Sequence, residues 1–445
     1  MPRVPLQIGA QSGQAASPAV SSERLINGYL ESTPQGRNPT PVYGTPGLVR
    51  FAAFGAVRAM TEAAGRLFIA TTKLYEVFAD GTGTNLGDLV DGVVDMASDG
   101  TNVVLVIGGE IYVWNGTTLA AVTDPDAPAA SSVEFLNGFF VFTEDGAEQF
   151  FISPQANPGG NYDALDFDSA DTSPDKLVRT RRVGRDLIVA GRQSIEFWYY
   201  SGDATFPINR YSDTPLDVGL AGVRAETRSN ETWFWLASDK TIRRLDGRVG
   251  TRISTFAIED EIAGWFDASL TVATSHVWQG HLFVVFRNPD GCVVWDQATQ
   301  LWHERKSYAS DTWQVSHYAY AFGRHLFGGP KLYELGGHDE DGAVLPFEMI
   351  TPWLDNGGER FSVTEVELRL EAGTGSLVLD PTVRLSRTED GESFTSPLSR
   401  SFGKQGERLR RVTFSRQGIS RGCAFKVQIT DPVKRVIYSA YAEVD

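Results

Sequence analysis

Asn102-Val103-Val104-Leu105-Val106-Ile107, followed after a turn by Glu110-Ile111-Tyr112-Val113-Trp114, is the stretch whose reading decides the fold. A turn opens it, an apolar run follows, and a second turn leads into a short run that ends in an aromatic. Two short strands joined in this way cannot bury their own apolar face and are marginal alone. The unit therefore needs neighbours, and the chain supplies copies of it on both sides. Upstream, Gly65-Arg66-Leu67-Phe68-Ile69-Ala70 leads to Lys73-Leu74-Tyr75-Glu76-Val77. Downstream, Gly138-Phe139-Phe140-Val141-Phe142 leads to Gln149-Phe150-Phe151-Ile152, and Gly184-Arg185-Asp186-Leu187-Ile188-Val189 leads to Ser194-Ile195-Glu196-Phe197-Trp198. Three further copies open at Asn230, Gly280 and Gly323.

The opening turn residues stand at 65, 102, 138, 184, 230, 280 and 323, so the pattern recurs every 36 to 50 residues. Paired short strands at such a period mark a β-propeller, in which four-stranded blades packed round a ring bury both faces and hide their edges. A set of unrelated sandwiches would not repeat one pattern seven times. The expected architecture is all-β, with a propeller of six to eight blades over residues 46–345; the shortest repeats leave little chain for outer strands, so some blades could be incomplete. Helical signals are scarce, and Ile258 to Trp265 is the one segment that could form a short helix or turn.

The flanks differ. Residues 1–45 are polar and contain Ser17-Pro18, Thr33-Pro34, Asn38-Pro39 and Thr40-Pro41, each of which disfavours helix before the proline. They read as an extended arm, with one apolar piece at Leu25 to Leu30, packing on the C-terminal domain or on a neighbouring subunit. Gly336 to Gly358 is rich in Gly, Asp and Pro and reads as a linker. Beyond it, Phe361 to Leu370, Thr382 to Ser386, Arg411 to Ser415 and Ala424 to Ile429 alternate at period two, as half-buried strands do. Residues 346–445 are expected to form a small β-sandwich.

The net charge of −16 is unevenly placed. Residues 361–445 carry 13 Lys+Arg against 11 Asp+Glu, which leaves −18 on the first 360. Strong DNA binders gain affinity by releasing counterions to Lys and Arg, so if a body this acidic meets DNA it guides or blocks it and does not grip it; the alternative reading is that the acidity serves solubility. The N-terminus, Met1-Pro2-Arg3-Val4-Pro5-Leu6, has no apolar leader core, and no stretch approaches the roughly 20 apolar residues of a membrane span. A soluble protein without a cleaved leader is expected. Cys292 and Cys423 make no disulfide framework, which fits a reducing cytoplasm.

No catalytic residue, metal site or cofactor is expected. The histidines at 276, 281, 303, 317, 325 and 338 are scattered, and there is no P-loop, nucleophile elbow or zinc-protease helix. Asp163-Ala164-Leu165-Asp166-Phe167-Asp168-Ser169-Ala170-Asp171 offers oxygen ligands but lacks the EF-hand glycine and terminal glutamate, so a turn-forming loop is the better reading. Thr388-Glu389-Asp390-Gly391-Glu392-Ser393-Phe394 looks like an Asp-box, a structural hairpin turn in which Asp390 caps backbone N–H groups, Gly391 turns the chain and Phe394 packs beneath. Two basic clusters stand out: Arg179, Arg181 and Arg182, and Arg408, Arg410 and Arg411. Each is either a solvated or salt-bridged strand face, or a contact for an acidic partner or for passing DNA. In the second cluster Arg408 and Arg410 are expected on one strand face and Arg411 on the other.

The stretch Leu165-Asp166-Phe167-Asp168-Ser169-Ala170-Asp171-Thr172-Ser173-Pro174-Asp175-Lys176-Leu177-Val178 resembles one found in packaged-DNA stabilisation proteins, the tail hub or nozzle of short-tailed bacteriophages. As in that family, Gly184 to Val189 and Arg192 to Trp198 follow. Ser201-Gly202-Asp203-Ala204-Thr205-Phe206-Pro207-Ile208 is the most distinctive run, and Arg252 to Glu259 closes the match. Arg24 to Glu31 and Gly44-Thr45-Pro46-Gly47-Leu48 look like the family's opening. The resemblance implies a virion protein, made in the bacterial host cytoplasm, that forms a homohexamer ring below the portal and head-to-tail adaptor. Such a ring continues the DNA channel, retains packaged double-stranded DNA, and carries tail fibres, spikes or a needle; the acidity of this chain adds the expectation that its contact with the DNA is weak. The competing class is a carbohydrate-binding or glycan-degrading propeller of a phage tail, which would need a paired set of carboxylates and a substrate pocket.

Overall fold

Each quoted apolar run is the second strand of a four-stranded antiparallel sheet, and the run after it is the third. In the computed structural model, which describes residues 3–32, 40–144, 146–170, 175–212 and 215–445, Val103–Ile107 lies between Val94–Ser98 and Glu110–Trp114, with Leu119–Ala121 outermost. Every residue of Val103–Ile107 is buried. Neighbouring blades cover both its faces, which is why the run is apolar without alternation. Among the described residues seven blades recur, with first strands starting at Ala59, Val94, Ala130, Leu177, Glu226, Val272 and His317. These first strands lie against one another round a common axis. Blades are numbered one to seven in that order. Outer strands are as short as three residues in blades two, three and four, yet all seven blades have four strands, so none is incomplete. The short helix spans Phe256–Ala263, between blades five and six, and starts where the Thr255 side chain accepts the Ile258 N–H.

Blade seven takes its outermost strand from the other end of the chain. Leu48–Ala52 pairs antiparallel with Leu332–Leu335, Leu48 opposite Leu335 and Ala52 opposite Leu332. Leu48 is fully buried in a cluster with Trp313, Tyr333 and Leu335. Gly47, just before it, passes so close to the Asp339 carbonyl that an added Cβ would lie 1.8 Å from the oxygen.

The described part of the first 45 residues is built into both domains. Arg24–Ile26 pairs in parallel with the outer strand of blade six, Leu301–Glu304, and antiparallel with Phe347–Ile350 of the sandwich. One sheet therefore runs from blade six through the arm strand into Gly422–Ile429, Thr382–Thr388 and Leu398–Ser401. The facing sheet contains Gly28–Leu30, Val42–Gly44, Val436–Val444, Phe361–Leu370 and Val412–Ser420, with Arg3–Leu6 also paired to Val436–Val444. Leu6, Leu25 and Val42 sit in the sandwich core beside Phe347, Phe414 and Phe425. The segment Gly336 to Gly358, read as a linker, carries two strands of its own, Phe347–Ile350 and Leu354–Asp355, both paired to Gly422–Ile429. Their pairing is with residues distant in sequence, so local composition does not report it.

Polar groups fix this clasp. Arg24 donates two bonds to Glu304, at 2.8 and 2.6 Å. The Asn27 amide donates to the Lys306 and Pro346 carbonyls and accepts from the Lys306 N–H. His281 in blade six lies between Asp296, 2.8 Å from Nδ1, and Glu31 of the arm, 3.1 Å from Nε2. Burial alone would lower the pKa of His281, but the two carboxylates outweigh it and raise it.

Two outcomes are expected. Leu48→Ala should destabilise the protein by about 2–5 kcal/mol in urea unfolding, whereas Val49→Ala next door, at a position 47 % exposed, should change stability by less than about 0.5 kcal/mol. The raised pKa of His281 means its contribution is complete below the unfolded value of about 6.5 and disappears as pH rises through the folded value. The urea midpoint should therefore fall more steeply above about pH 6.5 in the native chain than in His281→Gln.

Candidate functional site at the propeller axis

The first strand of blade four, Leu177–Val183, alternates so that Arg179 and Arg181 share one face, and that face points to the axis. Arg179 reaches Asp95 of blade two at 3.1 Å and Glu226 of blade five at 3.1 Å. Arg181 reaches Glu134 of blade three at 3.0 Å and Glu226 at 3.3 Å. The Nε contacts of both arginines to Glu226 lack hydrogen-bond alignment, so they act through charge. Backbone and ring donors complete the set. The Val133 N–H donates to Asp95 at 2.9 Å, Trp233 Nε1 donates to Glu226 at 2.7 Å, and Arg179 donates to the Val223 carbonyl at 2.9 Å. Four blades are tied together across the axis in this way.

The side chains of Arg179 and Glu226 are 5 % and 2 % exposed. Burial pushes the Glu226 carboxyl up, but Arg181 and Arg179 outweigh it and hold the pKa below the usual carboxylate value. Burial likewise acts to lower the pKa of Arg181, and Glu226, Glu134 and Asp95 raise it instead. Next to the network is a cavity of about 270 Å³, lined by Arg224, Thr227, Ser275 and His317 among others. Burial, followed by the charges of Arg224 and Arg287, lowers His317 to about 3, so its ring is neutral.

The remaining arginines singled out in the sequence lie elsewhere. Arg182 donates to the Gly184 carbonyl beside the turn of blade four, while its own carbonyl accepts from Arg228. Arg408, Arg410 and Arg411 are not on a strand, contrary to expectation. They lie in the exposed loop ahead of Val412–Ser420, where Gly403 and Gly406 turn the chain with positive φ and Leu409 is 98 % exposed. Arg410 pairs with Glu407 and Arg411 with Glu367. At the Asp-box-like turn, Asp390 accepts the N–H groups of Glu392 and Ser393 at 2.9 and 2.7 Å. Gly391 has φ +82°, and Lys426 stands 4.0 Å from the Phe394 ring centroid. Phe167–Ser169 of the acidic loop is the outer strand of blade three. Asp171 to Pro174 of that region lie outside the described residues. Among the described residues no group of three or more His, Cys, Asp or Glu side chains could hold a metal ion.

Sequence reading missed Asp95, Glu134 and Glu226. Each sits in a first strand ahead of a quoted apolar run, and Asp95 and Glu134 have apolar neighbours on both sides, as in Val133-Glu134-Phe135. A lone acid in such a strand is the available signal. Asp175, within the stretch that carries the family resemblance, accepts the N–H groups of Gln193 and Ser194 and so staples a turn of blade four.

Fold and axis together define a propeller–sandwich protein whose centre is filled by ion pairs. The family model described as Bacteriophage P22 Gp10, beta-propeller, matches residues 3–342, and the one described as Bacteriophage P22 Gp10, beta-sandwich, matches residues 346–445. The chain belongs to the bacteriophage P22 Gp10 family and is a phage tail structural protein of the kind that stabilises packaged DNA. No curated protein matches the chain. Among solved structures, the N-terminal domain of Nup159 is similar at 9 % identity and a TM-score of 0.40, over 71 % of this chain and 99 % of that one.

Glu226→Gln should cost about 3–5 kcal/mol in urea unfolding, because it leaves two arginines short of a counter-charge. With its pKa lowered in the folded state, Glu226 stabilises the protein above the unfolded carboxylate value and ceases to do so as pH falls through the folded one. The native chain should therefore lose stability below about pH 4.5 more steeply than Glu226→Gln, as followed by tryptophan fluorescence.

Proposed function

We propose that this chain is a non-catalytic tail hub, or nozzle, of a short-tailed phage, in which six copies close a ring below the portal and adaptor and the DNA conduit runs between copies. The observation that carries this reading is the filled propeller axis. The arginines and acids that cross it leave a cavity of about 270 Å³, whereas the major groove of a duplex is by itself about 12 Å wide. DNA cannot thread one propeller, so a chain that retains DNA must do so by joining others. A closing ring needs a heterologous interface. Residues 361–445 of the sandwich, at +2, and the rest of the chain, at −18 over residues 1–360, offer complementary surfaces for one. The basic loop with Arg408 and Arg410 is a candidate contact on the sandwich side.

The acidity also sets how DNA is handled. With few free cations the conduit binds the duplex weakly and lets it slide at ejection, so retention comes from a constriction or a plug. Distal parts such as fibres, spikes or a needle attach to the ring, which is made in the host cytoplasm and ends in the virion tail. The non-catalytic reading is supported by the axial carboxylates. A glycan hydrolase needs one carboxyl raised as an acid, whereas Glu226 is lowered by its arginines.

Particles assembled without this chain should have unstable heads that lose DNA and lack tail parts beyond the adaptor, as seen by electron microscopy. Filled, stable heads with an intact tail would overturn the reading. The purified ring should show only weak, salt-sensitive retention of duplex DNA in a gel-shift assay.

A further inference from the structure

At the mouth of the axis where the first strands begin, cations outnumber carboxylates in an otherwise acidic domain. A funnel of about 600 Å³ opens there between blades two to six, lined by Arg192, Arg224, Lys240, Asp267, Val93 and Leu270. Asp267 is the one acid among them, and it accepts the Ser269 N–H at 2.8 Å. Arg224 separates the funnel from the axial cavity and lines both. Among the described residues it has no carboxylate within ion-pair distance, and its hydrogen bond is a long one, 3.4 Å to the Arg58 carbonyl. Arg58 behind it bonds the Thr71, Val90 and Gly92 carbonyls, and its Nη2 is buried without a partner. The axial carboxylates Asp95, Glu134 and Glu226 are already engaged by Arg179 and Arg181.

A half-buried guanidinium without a counter-ion is costly, and desolvation together with the charges of Arg179 and Arg287 lowers the pKa of Arg224 despite Asp95. An incoming anion would offset that cost. The apolar side chains of the funnel say what kind of anion: Val93 and Leu270 are 57 % and 52 % exposed at its wall. A polyanion such as DNA would meet these apolar groups and the surrounding negative charge. A short segment carrying both carboxylates and apolar side chains fits both features.

We propose that this mouth of the propeller is a docking site for an acidic, partly apolar peptide segment of another tail protein, whose carboxylates meet Arg192, Arg224 and Lys240 and whose apolar side chains cover Val93 and Leu270. The proposal rests on the reading of the chain as a hub that carries other tail parts, and it names the surface and the chemistry of one attachment. The test is fluorescence anisotropy with the full-length chain and a labelled synthetic peptide of alternating aspartate and leucine. A lysine–leucine peptide and a short DNA duplex serve as the other probes. Saturable binding of the acidic peptide is expected, weakened by salt and reduced at least about tenfold in the double variant Arg192→Glu, Lys240→Glu. Both positions are on the funnel surface, so an unchanged urea midpoint would show that the variant folds; Arg224→Gln is the second variant, with the same expected loss. Binding that both variants leave unchanged, no binding by the folded native chain, or a funnel-dependent preference for the duplex would each overturn the proposal. DNA loss from particles lacking the whole chain is read separately, so failure here is distinguishable from failure of the hub reading.

Discussion

The strand Leu48–Ala52 has to find Leu332–Leu335, at the opposite end of the propeller sequence, before the ring is closed. A circle of blades has no stable partial form at its seam, because an unpaired edge strand exposes a row of backbone donors and acceptors. Here the seam strand is also the continuation of the arm. Fixing it draws Arg24–Ile26 against the edge of blade six and brings Leu6, Leu25 and Val42 into the sandwich core. Closure of the propeller and attachment of the sandwich thus rest on one stretch of chain, held by burial of Leu48 on one side of Gly47 and by the bonds of Asn27 and Arg24 on the other. The two domains thereby share a continuous sheet.

The same economy governs charge. The propeller part is strongly acidic, yet four arginines, Arg179, Arg181, Arg224 and Arg228, line its axis. Arg179 and Arg181 cross from one blade to three others and narrow the centre to a small cavity. A filled centre removes the propeller itself as a conduit and leaves its outer surfaces and its mouths for contacts. Arg224, beyond ion-pair distance of those carboxylates, lines both the axial cavity and the funnel at its mouth.

How much could be read beforehand varied with the range of the interaction. The run Val103–Ile107 announces a strand covered on both faces, and its seven recurrences announce blades; the blade number stayed open because outer strands of three residues, such as Leu119–Ala121, leave almost no trace. Phe361–Leu370 and Gly422–Ile429 were legible through alternation. Phe347–Ile350 was not, because its pairing depends on partners far away in sequence. Arg408 and Arg410 looked like a strand face because the following segment alternates, but the turns at Gly403 and Gly406 keep them in a loop. Arg179 and Arg181 were noticed as charges without a known destination, and Glu226 was not noticed at all, since a single acid in a strand gains meaning only from what faces it.

Sequence alone determined the all-β class, the repeat, the terminal sandwich and the family resemblance, because each rests on local periodicity or on contiguous residues. The imbalance of charge between propeller and sandwich was also explicit in it. The tertiary structure decided which strand closes the ring, how the arm joins the two domains, and that arginines from one blade fill the axis by meeting acids from three others. These depend on the pairing of residues far apart in the chain, and such pairings are set by the geometry of the closed ring, which no single stretch contains.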